Sequence, residues 1–339
     1  MDGPSTAEGT NAEASLLAVR DLRSEFHTTR GTVHAVNGVS FDVDRGELVG
    51  IVGESGCGKS ATIRSIIGLL RPPGRVVGGS ADFLGRDLVA MSARRRRQLL
   101  GARIGFVPQN PFGSLNPVMT IERQFLRVIR EHSDLSKADA RDRARTMLDR
   151  AGIADPERVL GGYAHQLSGG MAQRTVLAIA MSLEPDLVIA DEPTTGLDVT
   201  VQRQILDLTI ELVQRDERAM LLVTHDLGVV AHYCQRVVVM YAGKVVEVGP
   251  TAAVFAQPAH PYTELLLQAV PRPGEPLRIA RGQIPDLVDY PEGCPFYDRC
   301  EYRDDPRCQT QAPPLREVGP DHQAAVYYDI SARQPVGTA

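Results

Sequence analysis

Four apolar runs of strand length punctuate the chain: ELVGIV (Glu47 to Val52), DLVIA (Asp186 to Ala190), AMLLVT (Ala219 to Thr224) and RVVVMY (Arg236 to Tyr241). Each is close to continuously hydrophobic, the pattern of a strand covered on both faces. Stretches of helical character separate them, KSATIRSIIGLL after the first and residues Val199 to Gln214 between the second and third. This alternation predicts an α/β unit built on a mostly parallel sheet. Between about Pro117 and Ala151 the pattern becomes polar-rich helix, IERQFLRVIREH and KADARDRARTMLDRAG, and predicts a helical insertion. From Pro258 onward prolines recur at 258, 261, 271, 273, 276, 285, 291 and 295, which predicts a loop-rich appendage. No internal repeat is present.

Composition narrows the picture. At 339 residues the chain suits one large domain and a smaller one, and 43% hydrophobic residues supply a substantial core. A formal net charge of -5 gives no global pull toward nucleic acid or an anionic membrane. The run Arg94 to Arg97 is read as a solvated helix face. No apolar stretch approaches the roughly 18 residues needed to span a bilayer. The opening MDGPSTAEGTNAEAS has neither basic residues nor an apolar segment, so residues 1–15 are expected to be a disordered tail rather than a signal peptide. A cytoplasmic setting follows as an expectation. Thiols stay reduced there, so three cysteines gathered in GCPFYDRCEYRDDPRC suggest a metal site before a disulfide framework.

The stretch GESGCGKS fits the phosphate-loop pattern G-x-x-x-x-G-K-[ST], between a predicted strand and a predicted helix. Gly53, Gly56 and Gly58 let backbone N–H groups converge on phosphate oxygens, and Glu54, Ser55 and Cys57 fill the positions between them. The helix N-terminus, continuing through Ala61, adds favourable partial charge. Lys59 offers a point charge to the β- and γ-phosphates, and the Ser60 hydroxyl can ligate Mg²⁺. Cys57 is read as a spacer, since no base stands beside it in sequence. A second apolar strand ends in two acids, LVIADEP, which places Asp191 for the Mg²⁺ shell and Glu192 for polarising an attacking water. Adjacent acids ending a strand also suit a helix N-cap, and the phosphate loop decides between the two readings.

LSGGMAQR (Leu167 to Arg174) resembles the signature of ABC ATPases, and the order of motifs is that family's: phosphate loop, FVPQNP with Gln109, signature, DEPTTGLD, and VTHD with His225. The resemblance covers roughly Leu16 to Val254. It implies a P-loop NTPase (RecA-like) α/β core with a β-rich N-terminal subdomain and a helical subdomain at about 110–182, together spanning 16–256, followed by a loop-rich extension at 257–339. It implies MgATP as substrate. Ser168, Gly169, Gly170 and Gln173 would act on nucleotide held by a second ATPase subunit, taken as a distinct homologue. Gln109 would contact Mg²⁺ and the water, His225 the γ-phosphate, and Asp198 would couple the two sites. An upstream aromatic usually stacks on adenine in this family; Phe26 is the candidate, with His34 as a second, and Phe26 equally suits a strand core.

SLNPVMTI, PAHPYTELLLQAVP and GCPFYDRC resemble the ATPase subunits of bacterial oligopeptide and dipeptide importers, a group that includes nickel importers. This implies a peripheral protein on the cytoplasmic face of the membrane, two membrane permease subunits, an extracytoplasmic binding protein and no nucleic acid. A nickel or other small-solute importer, and a soluble non-transport ABC ATPase, stand as alternatives. The spacing of Cys294, Cys300 and Cys308 matches three of four cysteines that bind a [4Fe–4S] cluster in that group; Val326 stands roughly where the fourth would be. Four readings stay open: a cluster completed by His322 or Asp321, zinc in a Cys₃His set, thiols that only pack, or an oxidised pair.

Overall fold

The computed structural model describes residues 15–196, 198–215, 217–270, 282–303, 305–329 and 334–335. Of the expected N-terminal tail only Ser15 falls among them, and Pro271, Pro273 and Pro276 of the appendage lie outside them.

The chain opens with strands β1 (Leu17–Thr28) and β2 (Gly31–Val43), then β3 (Leu48–Val52), helix α1 (Lys59–Ile66) and β4 (Gly74–Phe83). Next come α2 (Ala93–Leu99), β5 (Ile104–Val107), and the helices α3 (Pro111–Ser114), α4 (Ile121–His132), α5 (Lys137–Arg150), α6 (Pro156–Gly161) and α7 (Gly169–Met181). The α/β alternation resumes with β6 (Leu187–Asp191), α8 (Val199–Gln214), β7 (Ala219–Val223), α9 (Leu227–Tyr233), β8 (Arg236–Tyr241) and β9 (Lys244–Pro250). The last part holds α10 (Thr251–Ala256), α11 (Pro261–Gln268), α12 (Arg307–Thr310), β10 (Leu315–Gly319) and β11 (His322–Ala325).

The main sheet has eight strands in the order β10-β11-β9-β8-β3-β7-β6-β5. Its centre is parallel, β8-β3-β7-β6-β5, and its β9 side is antiparallel. All five residues of β3, of β6 and of β7 are buried, as their unbroken apolar sequences require. A separate antiparallel sheet, β2-β1-β4, covers one side of α1. It is the β-rich subdomain expected at the N-terminus.

The helical insertion forms as its pattern predicts. In α4 the buried residues Ile121, Phe125 and Ile129 recur every fourth position, and in α5 Ala140, Ala144, Met147 and Leu148 follow at steps of three or four along one face. Thr120, Ser136 and Ser168 cap α4, α5 and α7, each accepting a first-turn N–H. The Arg94–Arg97 run lies on α2, which buries no residue, in keeping with a solvated face.

The Pro-rich appendage packs into the cassette rather than beside it. Tyr262 of α11 and Phe296 sit in the same core cluster as Tyr241 of β8, with ring centroids 4.6 and 5.2 Å from the Tyr241 ring. Such ring pairs contribute about 0.5–1.5 kcal/mol each beyond the area they bury. Strand β11 adds to β9 through Gln323↔Val248 and Ala324↔Glu247, so the tail extends the sheet that carries the phosphate loop.

Candidate active site

The phosphate loop links the end of β3 to α1, with strands on either side. Two of its glycines have no substitute. At Gly53 (φ 153°) a Cβ would stand 2.2 Å from the Met240 carbonyl oxygen, and at Gly58 (φ 106°) 2.3 Å from that of Ala35. Both positions combine left-handed backbone with walls made of main chain, which cannot yield. Lys59 is buried, and its Nζ donates to the carbonyls of Gly53 (2.7 Å) and Glu54 (3.0 Å). The ammonium thus closes the loop on itself while staying inside it. Cys57 is fully buried, and burial pushes its thiol up, so it fills space as the sequence suggested.

Ser60 at the start of α1 donates to Asp191 Oδ1 at 2.7 Å. Asp191 ends β6, is fully buried, and has Arg64 at 3.5 Å from its other oxygen. A hydroxyl and a buried carboxylate side by side are hard oxygen donors that fit Mg²⁺. Glu192, the next residue, sits at φ 45°, a left-handed conformation held by its N–H bond to the Val223 carbonyl at 2.9 Å. That twist directs its carboxylate to a different set of partners. Glu192 Oε2 accepts from Gln109 Nε2 (3.0 Å) and Thr195 Oγ1 (3.0 Å), and His225 Nδ1 stands 3.6 Å away. Gln109 follows β5, Glu192 follows β6 and His225 follows β7. Three neighbouring strand ends therefore deliver three polar groups to one carboxylate, the usual location of a ligand site in such sheets.

The remaining sequence candidates divide. Ser168 caps α7, accepting the Met171 N–H at 3.3 Å, and Gly170 abuts Val201 at the start of α8. Asp198 caps α8 through the Val201 N–H at 3.0 Å. Among the described residues no hydrogen bond or ion pair joins Ser168, Gly169 or Gly170 to this chain's own phosphate loop. Gln173 parts from that group: it is 1% exposed on α7, with neither end of its amide partnered among the described residues. It does not share the surface that Ser168 and the two glycines present. Phe26 pairs with Val33 and Gly74, and its ring meets the 70–74 segment after α1. His34 points to the opposite face of the hairpin, 3.3 Å from Glu25 and edge-on to Tyr290. The Ala35 carbonyl, next to His34, lies beside Gly58, while Phe26 lines a cavity with Ala61, Arg64 and Gln109.

At the tail, Cys294, Cys300 and Cys308 are unpaired and half-buried, and the Cys294 N–H donates to the Cys308 carbonyl at 2.8 Å. Burial pushes the Cys300 thiol up to about 12 and the Cys308 thiol to about 11, and the neighbouring thiols add to both. Among the described residues no group of three or more His, Cys, Asp or Glu is arranged to hold a metal. His322, one of the two candidates for a fourth ligand, is turned into the sheet with Nε2 at 2.7 Å from the buried Glu247, and so is already committed. Asp321 occupies the turn between β10 and β11 at φ 53°. As it stands, this set of residues does not fit a cluster.

The chain is similar along nearly its whole length to transport ATPases. It is 43% identical to the dipeptide transport ATP-binding protein DppD of Escherichia coli over 319 residues, 93% of this chain and 97% of that one. The chain belongs to the ABC transporter ATPases. Residues 36–195 match the ABC transporter family, and residues 246–308 match the oligopeptide/dipeptide transporter C-terminal region. It is also 48% identical to DppD of Bacillus subtilis over 292 residues (85% of this chain, 87% of that one). Against the oligopeptide transport ATP-binding protein OppD of Salmonella typhimurium it is 44% identical over 318 residues (93% and 94%). Among solved structures it resembles a dimer of the ATP-binding cassette MJ0796 bound to ADP and Pi, with TM-score 0.63 and 25% identity, covering 69% of this chain and 98% of that one. As an ABC ATPase of the peptide-importer group, the chain binds and hydrolyses ATP with Mg²⁺.

Two site residues were not singled out from sequence: Thr195 and Arg64. Thr195 lay within the DEPTTGLD stretch and could have been found by its spacing from Glu192. Arg64 is one helical turn beyond Ser60, a spacing that puts both on one face of α1.

Proposed function

We propose that the chain is the peripheral, cytoplasmic-face ATPase of a peptide importer, working with a second ATPase subunit, two membrane subunits and an extracytoplasmic binding protein. The names of its relatives, dipeptide and oligopeptide transport ATP-binding proteins, support the cargo class, and the match in the C-terminal region supports the group. Among the described residues no helix is long and apolar enough to cross a membrane.

The observation that carries the chemistry is the pairing of two adjacent acids with different partners around one phosphate loop. Asp191 and Ser60 would hold Mg²⁺, which neutralises charge on the β- and γ-phosphates. Lys59 and the loop N–H groups bind the phosphates. Gln109, Thr195 and His225 fix the Glu192 carboxylate. Glu192 orients the attacking water and accepts its proton as the water oxygen bonds to the γ-phosphorus. The bond to the β-bridging oxygen breaks, and ADP leaves with its electron pair. Ser168, Gly169 and Gly170 cover the γ-phosphate of the second subunit, and Asp198 at the head of α8 links the two sites. The Cys294, Cys300 and Cys308 region acts here as packing.

In the assembled transporter, Glu192→Gln should lower ATP turnover by about 10²–10³-fold while MgATP still binds. Turnover equal to the parent's would remove Glu192 from the reaction.

A further inference from the structure

Glu54 is an odd residue to place in a loop that receives a polyanion. Its carboxylate adds negative charge at the mouth of the phosphate cradle. The tail supplies its counter-charge. Arg299 Nη1 donates to Glu54 Oε2 at 2.9 Å and Nη2 to Oε1 at 2.8 Å, a two-pronged contact between positions 245 residues apart. The Arg299 side chain is only 4% exposed, with its guanidinium over the rings of Tyr241 (5.6 Å) and Phe296 (5.7 Å). A second tail group reaches the same residue: the Glu54 N–H donates to the Tyr262 hydroxyl at 2.8 Å. The third contact is internal, from Lys59 Nζ to the Glu54 carbonyl. One loop residue is thus held at its side chain, its N–H and its carbonyl, twice by the tail and once by the lysine that meets the phosphates.

We propose that Arg299 is a positioning residue for the nucleotide site, neutralising Glu54 and fixing the phosphate loop from the C-terminal region so that the loop is preorganised for MgATP. The inference rests on the nucleotide site proposed above. A planar guanidinium fork suits this role, because it holds both carboxylate oxygens at once and offsets their charge. Without it, Glu54 keeps its charge and gains freedom, and both changes weaken anion binding.

The test uses the full chain, with equilibrium MgATP binding, the melting temperature without nucleotide, and ATPase kinetics in the assembled transporter. Arg299→Ala and Arg299→Gln should each weaken MgATP binding about tenfold and raise KM to match, with kcat within twofold. Arg299→Lys, which keeps the charge, should bind within about threefold of the parent. Lys59→Ala serves as the control for the site itself. If only Lys59→Ala weakens binding, the nucleotide site stands and the inference falls. If Lys59→Ala binds like the parent, the site assignment falls and takes the inference with it. If all three Arg299 variants lose affinity in step with their melting temperatures, Arg299 only packs the tail, and the inference is likewise overturned.

Discussion

Asp191 and Glu247 are both carboxylates at 0% exposure on strands of the same sheet, β6 and β9. Their surroundings differ in how far they are satisfied. Glu247 Oε1 accepts from the Ala259 N–H (2.8 Å) and from His322 Nε2 (2.7 Å), and Oε2 accepts from the His260 N–H (2.9 Å). It is closed off, and it pins the start of the appendage and the far strand β11 to the cassette at one point. Asp191 has one short bond, from Ser60, and Arg64 at the edge of contact. Its remaining acceptor capacity faces the site. Burial of charge therefore does not mark chemistry in this fold; unfilled acceptor capacity does.

The comparison can be broken most sharply at Glu247. Replacing it with alanine strands His322 and two backbone N–H groups, and should cost about 3–5 kcal/mol of stability by chemical denaturation. A loss under about 1 kcal/mol would show that the latch is not a structural hub. Next, Asp191→Asn should lower ATP turnover about 10²–10³-fold, or about 3–4 kcal/mol of barrier. Its melting temperature should stay level or rise, because an under-satisfied buried charge has been removed. A folding defect as large as that of Glu247→Ala would erase the distinction. The smallest effect concerns His260, whose ring is fully enclosed beside this latch. Burial pulls its imidazole down to about 4, against the opposing pull of the Glu247 carboxylate. The unfolded chain then takes up the proton first as pH falls through the ordinary value of about 6.5, so stability is full above that pH and declines toward pH 4. Between about pH 7.5 and 5.5 the parent should lose about 1.3 kcal/mol that His260→Asn does not lose. Equal losses would place the pH dependence elsewhere.

The proposed nucleotide site could be read from sequence because its residues answer to local geometry. A turn between a buried strand and a helix that must expose N–H groups needs glycine at Gly53 and Gly58, and strand-end acids follow apolar runs. The sheet and the helical insertion were legible for the same reason, since their periods are set within each segment. The tail was not. His322 was a candidate ligand because it lies where a fourth ligand would be wanted, but its partner Glu247 is 75 residues earlier. A signal did exist: Glu247 is the one acid in the apolar run KVVEVGP, and a carboxylate on a buried strand face calls for a partner. Arg299 is harder still, since nothing in GCPFYDRC specifies that its arginine reaches the phosphate loop. Gln173 shares the octapeptide LSGGMAQR with surface residues, and only the helix it sits on reveals that it faces inward.

The register of β11 on β9 also bears on how the protein is made. Gln323 pairs with Val248, so the cassette's sheet is complete, phosphate loop included, while its β9 edge still lacks a neighbour. At synthesis rates of about 5–20 residues per second, the 75 positions between those partners keep that edge bare for roughly 4–15 s. A bare edge with the sequence KVVEVGP can pair with other chains, and the Glu247 carboxylate, together with Lys244 and Pro250 at its ends, discourages it. The same carboxylate that later clasps His322 thus guards the strand while it waits, a safeguard during translation.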